Sequence, residues 1–171
     1  IGGNDENLFA TAIATCIAVG LGGAHPGNPC EQQHGAALLR TIRTETYPNL
    51  VKAMKAVRDK APNAQIGVWN YSRIVDNSTK PCPAMGVAPG DKPFLYRLQS
   101  ELNDAVARAA EKNGITVLDV AAASEGHDAC KPAGVRWVEP AVTTVQPVPI
   151  HPNALGEQRM AEVAAETLAL S

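Results

Sequence analysis

The 171-residue chain lacks the marks of several large protein classes. No apolar run approaches the roughly 18 residues that a membrane-spanning helix needs, so no transmembrane segment is expected. The opening residues, Ile1-Gly2-Gly3-Asn4-Asp5, have neither the basic start nor the apolar stretch of a secretory leader. That leaves a protein that is not exported or a processed piece of one that is. Aromatic residues make up only 4% of the chain, and no RNA-reading aromatic motif occurs. With 15 Lys and Arg against 17 Asp and Glu the formal charge is −2, and the basic residues form no stripe. Phosphate contacts need clustered Lys and Arg, so nucleic acid is excluded as the expected partner. The 14 glycines and 13 prolines fall short of a low-complexity composition and follow no period.

What is present describes a globular protein. Hydrophobic residues are 45% and charged residues 19%, and the length fits one domain over residues 1–171. A chain of this size hides roughly 70% of the surface that its unfolded form exposes, enough for a core without staples. There are four cysteines, Cys16, Cys30, Cys82 and Cys130. His127-x-x-Cys130 and Cys30-x-x-x-His34 have ligand-like gaps, but no Cys-x-x-Cys pair accompanies them. The even count favours two disulfides, hence an oxidising compartment and secretion. No metal and no cofactor is expected. Gly20, Gly22, Gly23, Pro26, Gly27 and Pro29 let the chain loop back between Cys16 and Cys30, which leaves Cys82 to pair with Cys130.

Periodicity predicts a helix over about 6–15, capped by Asp5, with Leu8, Ala12 and Ile13 on one side. A second helix is expected over 35–60, carried by Leu50, Val51, Met54 and Val57 and broken near Tyr47-Pro48. Residues 65–70 and 115–119 read as short buried strands. Between them lie a Pro/Gly-rich loop over 76–93 and a helix over 94–112, with Gly114 as its C-terminal stop. Residues 121–150 form a second long loop, and a last helix spans 153–170 with Leu155, Met160, Val163 and Leu168 inward. Helices alternating with strands indicate an α/β protein with a parallel sheet. Two strands are few for such a sheet, and Ile1-Gly2-Gly3 reads as the end of another strand entering a turn.

Two segments can carry chemistry. Gly2-Gly3-Asn4-Asp5 sits at a predicted strand-to-helix turn, where glycines permit a sharp bend and close approach of a ligand. In open α/β sheets ligands bind at the C-terminal ends of strands, and an Asn amide there can donate to a developing oxyanion. The plain alternative is a helix cap, a role both Asn and Asp favour. His151, in Val148-Pro149-Ile150-His151-Pro152-Asn153, follows a long loop and precedes the last helix, a position suited to a general base or to a solvated surface histidine. His127, Asp128 and Trp137 lie in the loop that Cys130 would tie down; Trp137 either lines an acyl groove or fills the core. His25 and His34 read as surface residues.

Together these segments resemble the SGNH, or GDSL, hydrolase family. Gly2-Gly3-Asn4-Asp5 is similar to its third block, Gly-x-Asn-Asp, and the run from His151 through Asn153, Ala154, Leu155 and Gly156 to Ala161 resembles its fifth block. The likeness is closest to secreted actinobacterial lipases and esterases. It extends over Cys16, Cys30, His34-Gly35, Leu102-Asn103-Asp104-Ala105-Val106, Gly126-His127-Asp128-Ala129-Cys130, Arg136-Trp137 and Glu139-Pro140. The resemblance implies a three-layer α/β/α sandwich around a five-stranded parallel sheet. It also implies hydrolysis of carboxylic esters, lipid or acylated sugar, through a serine acyl-enzyme. Asn4 would donate to the oxyanion, Gly3 would supply backbone at that turn, and His151 would act as base. His127 and Trp137 would line the substrate site.

The chain departs from the family pattern twice. The position three before the histidine, often Asp in the family, is Val148, whose backbone carbonyl would orient His151 instead; Asp128 is the lesser alternative. The Gly-Asp-Ser block is absent: none of Ser72, Ser78, Ser100, Ser124 and Ser171 follows Gly-Asp or sits in Gly-x-Ser-x-Gly. The expectation is therefore a C-terminal portion, with the nucleophile and the N-terminal strands in a segment outside this chain, and no turnover without it. Two rivals remain. One is a non-catalytic module of the same fold that binds acyl or glycan ligands. The other is a metal hydrolase using His127, Cys130 and His151.

Overall fold

The structure, a computed structural model, describes residues 1–21, 27–142 and 148–169. A 3-10 turn, Asp5–Asn7, leads into α1 (Leu8–Leu21), followed by α2 (Ala36–Thr41), α3 (Tyr47–Lys60) and β1 (Gly67–Trp69). Then come α4 (Lys92–Lys112), β2 (Thr116–Leu118), α5 (Val120–Ala123) and α6 (Ala154–Thr167). His25 lies outside the described residues.

β1 and β2 pair in parallel, with Val68 opposite Val117. Parallel neighbours need a crossover connection, and α4 supplies it. Side chains alternate across the pleat. Val68 and Val117 pack into the main core, while Trp69 turns to the other face and its Nε1 donates to the Met160 carbonyl of α6 at 3.3 Å. Helices thus lie on both faces of the sheet, the α/β/α layering expected.

α4 is the helix that its periodicity predicted. Leu98, Leu102, Val106 and Ala109 are buried along one face, and Pro93 occupies the first turn. Gly114 takes φ +60°. Its N–H donates to the Glu111 carbonyl at 3.2 Å, and Ile115 N–H reaches back to Ala110 at 3.0 Å. That double return is a left-handed helix stop, which glycine adopts without a Cβ penalty.

Several boundaries differ from expectation. α1 continues six residues past Thr15 to Leu21, because Cys16 carries its buried stripe onward from Leu8 and Ala12. Asn4, not Asp5, holds the cap position, and it makes no side-chain capping bond. The second helical run starts at Pro29, ahead of Gly35. There the buried Asp91 carboxylate accepts the N–H groups of Cys30 and Glu31, each at 3.0 Å, a cap supplied from 60 residues away that no local pattern reveals. The break near Tyr47-Pro48 is a wide turn over Ile42–Thr46, after which Pro48 sits in the first turn of α3. Ile1 and Gly2 form no strand. β1 is only half-buried, with Trp69 42% exposed, because among the described residues its outer edge has no strand beside it. Leu155, Met160, Val163 and Leu168 are half-buried rather than inside, and Gly156 is the buried residue of α6.

The cysteines pair as Cys16–Cys30 and Cys82–Cys130. Cys130 therefore has no thiolate to offer, which overturns a metal centre of His127, Cys130 and His151. Among the described residues no helix is long and apolar enough to cross a membrane.

Candidate active site

The first predicted segment is a tight turn tied to the end of the sheet. Gly2 adopts φ +99°, and Glu6 and Asn7 follow at +50° and +56°. Left-handed conformations at non-glycine residues cost on the order of 1–3 kcal/mol each and persist only where the surroundings hold them. Here the surroundings grip Gly3. Its N–H donates to the Tyr71 hydroxyl at 2.9 Å, and its carbonyl accepts the Phe9 N–H at 2.9 Å. Tyr71 leaves the C-terminal end of β1, so this turn lies at that end of the sheet. Asn4 is exposed, and its amide is not spent on capping the helix it precedes.

The second segment is held by a short antiparallel ribbon. Val138 bridges Pro152. Glu139 N–H donates to the His151 carbonyl at 2.9 Å, and Ile150 N–H donates to the Glu139 carbonyl at 3.0 Å. Ile150 sits at φ +61°, a strained position for a β-branched residue. Asn153 caps α6 by accepting the Gly156 N–H at 3.0 Å, and its Nδ2 donates to the Arg136 carbonyl at 2.9 Å and to Glu139 Oε1 at 3.0 Å. The buried Glu139 carboxylate also pairs with Arg136 at 2.9 Å. At Gly156 a Cβ would lie 2.2 Å from the Trp137 carbonyl, so glycine lets the helix start against the ribbon.

His151 is exposed, and its Nδ1 lies 2.9 Å from the Pro149 carbonyl. The expected orienting carbonyl was that of Val148; the one that meets the ring belongs to the next residue. The positive φ at Ile150 folds the chain back far enough for this two-residue contact. A carbonyl only accepts, so Nδ1 carries a proton, and in the neutral ring the lone pair is then left on Nε2, the tautomer that a base requires.

Between these segments runs the loop of His127 and Trp137, which the structure brings together. Their rings stack at 4.9 Å, Trp137 N–H donates to the His127 carbonyl at 2.8 Å, and His127 Nδ1 meets the Val135 carbonyl at 2.7 Å. Trp137 is buried, so most of its ring is packing surface. Asp128 does not turn toward His151: its Oδ1 accepts the Cys130 N–H at 2.9 Å and its Oδ2 pairs with Lys131 at 3.2 Å. Among the described residues no hydrogen bond joins Asn4 to His151; the His151 ring meets the Pro149 carbonyl.

Residue-level reasoning missed the polar frame beneath the turn. Asn103 accepts the Tyr71 N–H at 2.9 Å and donates to the Tyr71 carbonyl at 3.0 Å. Gln99, one turn earlier on α4, does the same for the Ile74 N–H at 3.1 Å and the Ser72 carbonyl at 2.6 Å. Asn70 joins the two strand ends, donating to Asp119 at 2.7 Å and accepting the Ala121 N–H at 3.0 Å. A signal was available: Gln99 and Asn103, four apart, interrupt the apolar face of α4, and buried amides need partners.

A second polar cluster braces the 76–93 loop. Buried Lys92 meets Asp76 at 2.6 Å and the Lys80 carbonyl at 2.9 Å. Partial burial pushes the Asp76 carboxyl up, but hydrogen bonds from Lys92 and Ser78 and the charges of Lys92 and Lys131 outweigh it and bring it down to about 2.

A parallel sheet between helices, with a Gly-Gly-Asn turn at one strand end and an exposed, carbonyl-oriented histidine ahead of the last helix, defines an α/β protein of layered architecture. The pattern of the GDSL-like lipase/acylhydrolase family matches residues 1–159, and the chain belongs to that family. It is 42% identical over 172 residues to Lipase 2 of Streptomyces coelicolor, covering 99% of this chain and 58% of that protein. It is 27% identical over 163 residues to Lipase 1 of the same organism, covering 92% and 54%. The chain therefore spans little more than half the length of the curated relatives it matches. Among solved structures, phospholipase A1 from Streptomyces albidoflavus superposes with a TM-score of 0.80 at 25% identity, over 98% of this chain and 66% of that one. An extracellular lipase from Streptomyces rimosus superposes at 0.77 and 24%, with the same coverage, a likeness of fold.

Proposed function

We propose that the protein is a secreted carboxylic ester hydrolase, acting on lipid or acylated-sugar esters through a serine acyl-enzyme whose nucleophile lies in a segment outside these 171 residues. His151 Nε2 takes the serine proton and returns it to the leaving alcohol, while the Asn4 amide donates to the oxyanion of the tetrahedral intermediate. The Pro149 carbonyl holds the imidazole, in place of the carboxylate of a full triad. The observation that carries the reading is the state of Asn4. It precedes a helix, yet its amide is left outward on a turn whose backbone is held at Gly3.

The outer flank of β1 supports an additional segment. Ile1, Val57 and Trp69 are exposed there, around an apolar hollow of about 270 Å³ that Ala53, Met54, Ile66, Val68 and Ile115 also line. Strands of a parallel sheet are ordinarily covered on both faces, and an open edge presents unpaired peptide groups to a further strand. The lipase names of the relatives agree with an ester substrate.

The test is hydrolysis of p-nitrophenyl esters by the protein with its Gly-Asp-Ser segment in place, against the 171 residues alone. The longer protein turns over and the shorter does not. His151→Ala lowers kcat at least about 10³-fold, since loss of a member of a catalytic dyad or triad removes the unit. Full activity in that variant overturns the base assignment, and ligand binding without turnover by the longer protein favours the non-catalytic module.

A further inference from the structure

We propose that Tyr71 is a positioning residue for this reaction: by accepting the Gly3 N–H, its hydroxyl sets the direction of the neighbouring Asn4 amide. The inference rests on the esterase reading of Asn4. Gly3 immediately precedes Asn4, and both of its peptide groups are engaged, the N–H by Tyr71 and the carbonyl by the Phe9 N–H, each at 2.9 Å. Holding the planes on either side fixes φ and ψ at a residue of the most permissive type.

Glycine is nonetheless required at this position. A Cβ on Gly3 would sit 2.6 Å from the Phe9 ring and 3.0 Å from the Tyr71 oxygen. The turn thus needs glycine for space and needs a tether to remove the freedom that glycine brings. The tether is anchored in turn. Asn103 of α4 binds both the N–H and the carbonyl of Tyr71, and the Tyr71 ring stands edge-on to Phe9 at 5.0 Å. The line of support runs from α4 through Asn103 and Tyr71 to Gly3, and ends beside Asn4.

The surrounding backbone makes the tether matter. Gly2, Glu6 and Asn7 all hold left-handed conformations within six residues, and strain of this kind relaxes when a restraining contact is lost. Burial raises the Tyr71 hydroxyl above the ordinary phenol range; the Gly3 hydrogen bond opposes that and the Asp5 charge adds to it.

The test is made in the protein carrying its nucleophile segment. Tyr71→Phe removes one hydroxyl and lowers kcat about 10- to 100-fold, the penalty of a displaced catalytic group. KM changes less than about 3-fold, because the lost interaction counts in the transition state. In an Asn4→Ala background the same substitution has no further effect, since Tyr71 acts only through Asn4. If Tyr71→Phe does not fold, Asn103→Ser, which frees the Tyr71 backbone, carries the same two readouts. Wild-type kcat in Tyr71→Phe, or an equal loss in both backgrounds, overturns the positioning role and leaves the esterase reading standing. Full activity in Asn4→Ala overturns the esterase reading itself.

Discussion

Around α4 the molecule is closed; along the outer side of β1 it is open. α4 buries Phe94, Leu98, Leu102, Ala105, Val106 and Ala109, and both disulfides contribute cysteines to the same core. Across the sheet, α6 buries only Gly156, and Val57 and Trp69 stand exposed at the β1 flank. Both regions are apolar in sequence, so composition does not separate them. What separates them is whether this chain supplies the partner. The α4 side is covered from within the chain; the β1 side has no strand beside it among the described residues.

The contrast can be broken or sharpened by experiment. The largest effect is expected from the disulfides. Replacing both cysteines of Cys82–Cys130, which closes a separation of 48 residues, costs about 4 kcal/mol, against about 3 kcal/mol for the Cys16–Cys30 pair on the loop-entropy model. Denaturant unfolding of the two double-serine variants measures the order, and a reversed order shows that packing at Cys16 and Cys30 outweighs loop length. Next, Leu102→Ala should cost about 3 kcal/mol as a fully buried truncation, and Val57→Ala on the open side less than about 0.5 kcal/mol. With the N-terminal segment present, the cost of Val57→Ala rises and that of Leu102→Ala does not. Equal costs in the 171-residue chain would erase the distinction.

A smaller effect concerns acid. The Asp76 carboxyl is lowered from 3.8 to about 2. Its contribution, at most about 2 kcal/mol and less where solvent screens the pair, is fully present above the unfolded value and fades as pH falls through the folded one. Stability should therefore drop between pH 4 and pH 2, and Asp76→Asn should flatten that part of the curve. An unchanged slope in the variant would assign the acid sensitivity elsewhere.

Much of the fold was legible because its signals are local. The face of α4, the glycine stop at Gly114 and both strands follow from spacing and capping chemistry within a few residues. The disulfide pairing followed from a Gly/Pro stretch that lets the chain return. The misreadings share one cause. The start of the second helical run depends on Asp91, some 60 residues away, and the exposure of β1 depends on whether a strand lies beside it, which among the described residues none does; neither is written in the residues themselves. In the candidate site the two chemical segments were readable as short patterns, whereas Tyr71 was not singled out and Asn103 entered only within a run shared with the family, because a tyrosine after a strand and an asparagine in a helix are ordinary until their contacts are known. Which carbonyl meets His151 was missed by one residue, since the left-handed Ile150 reverses the chain locally.

The α/β alternation, the covalent bridges and the types of group that can do chemistry are written in the residues: an amide on a glycine turn and an imidazole ahead of a helix. That the amide is left free of capping, that Gly3 is held by Tyr71 and that the imidazole leans on Pro149 come from the folded chain. The reason is physical. Periodicity and capping act over a turn or two of chain, while the direction of a side chain is set by hydrogen bonds that arrive from residues tens of positions away.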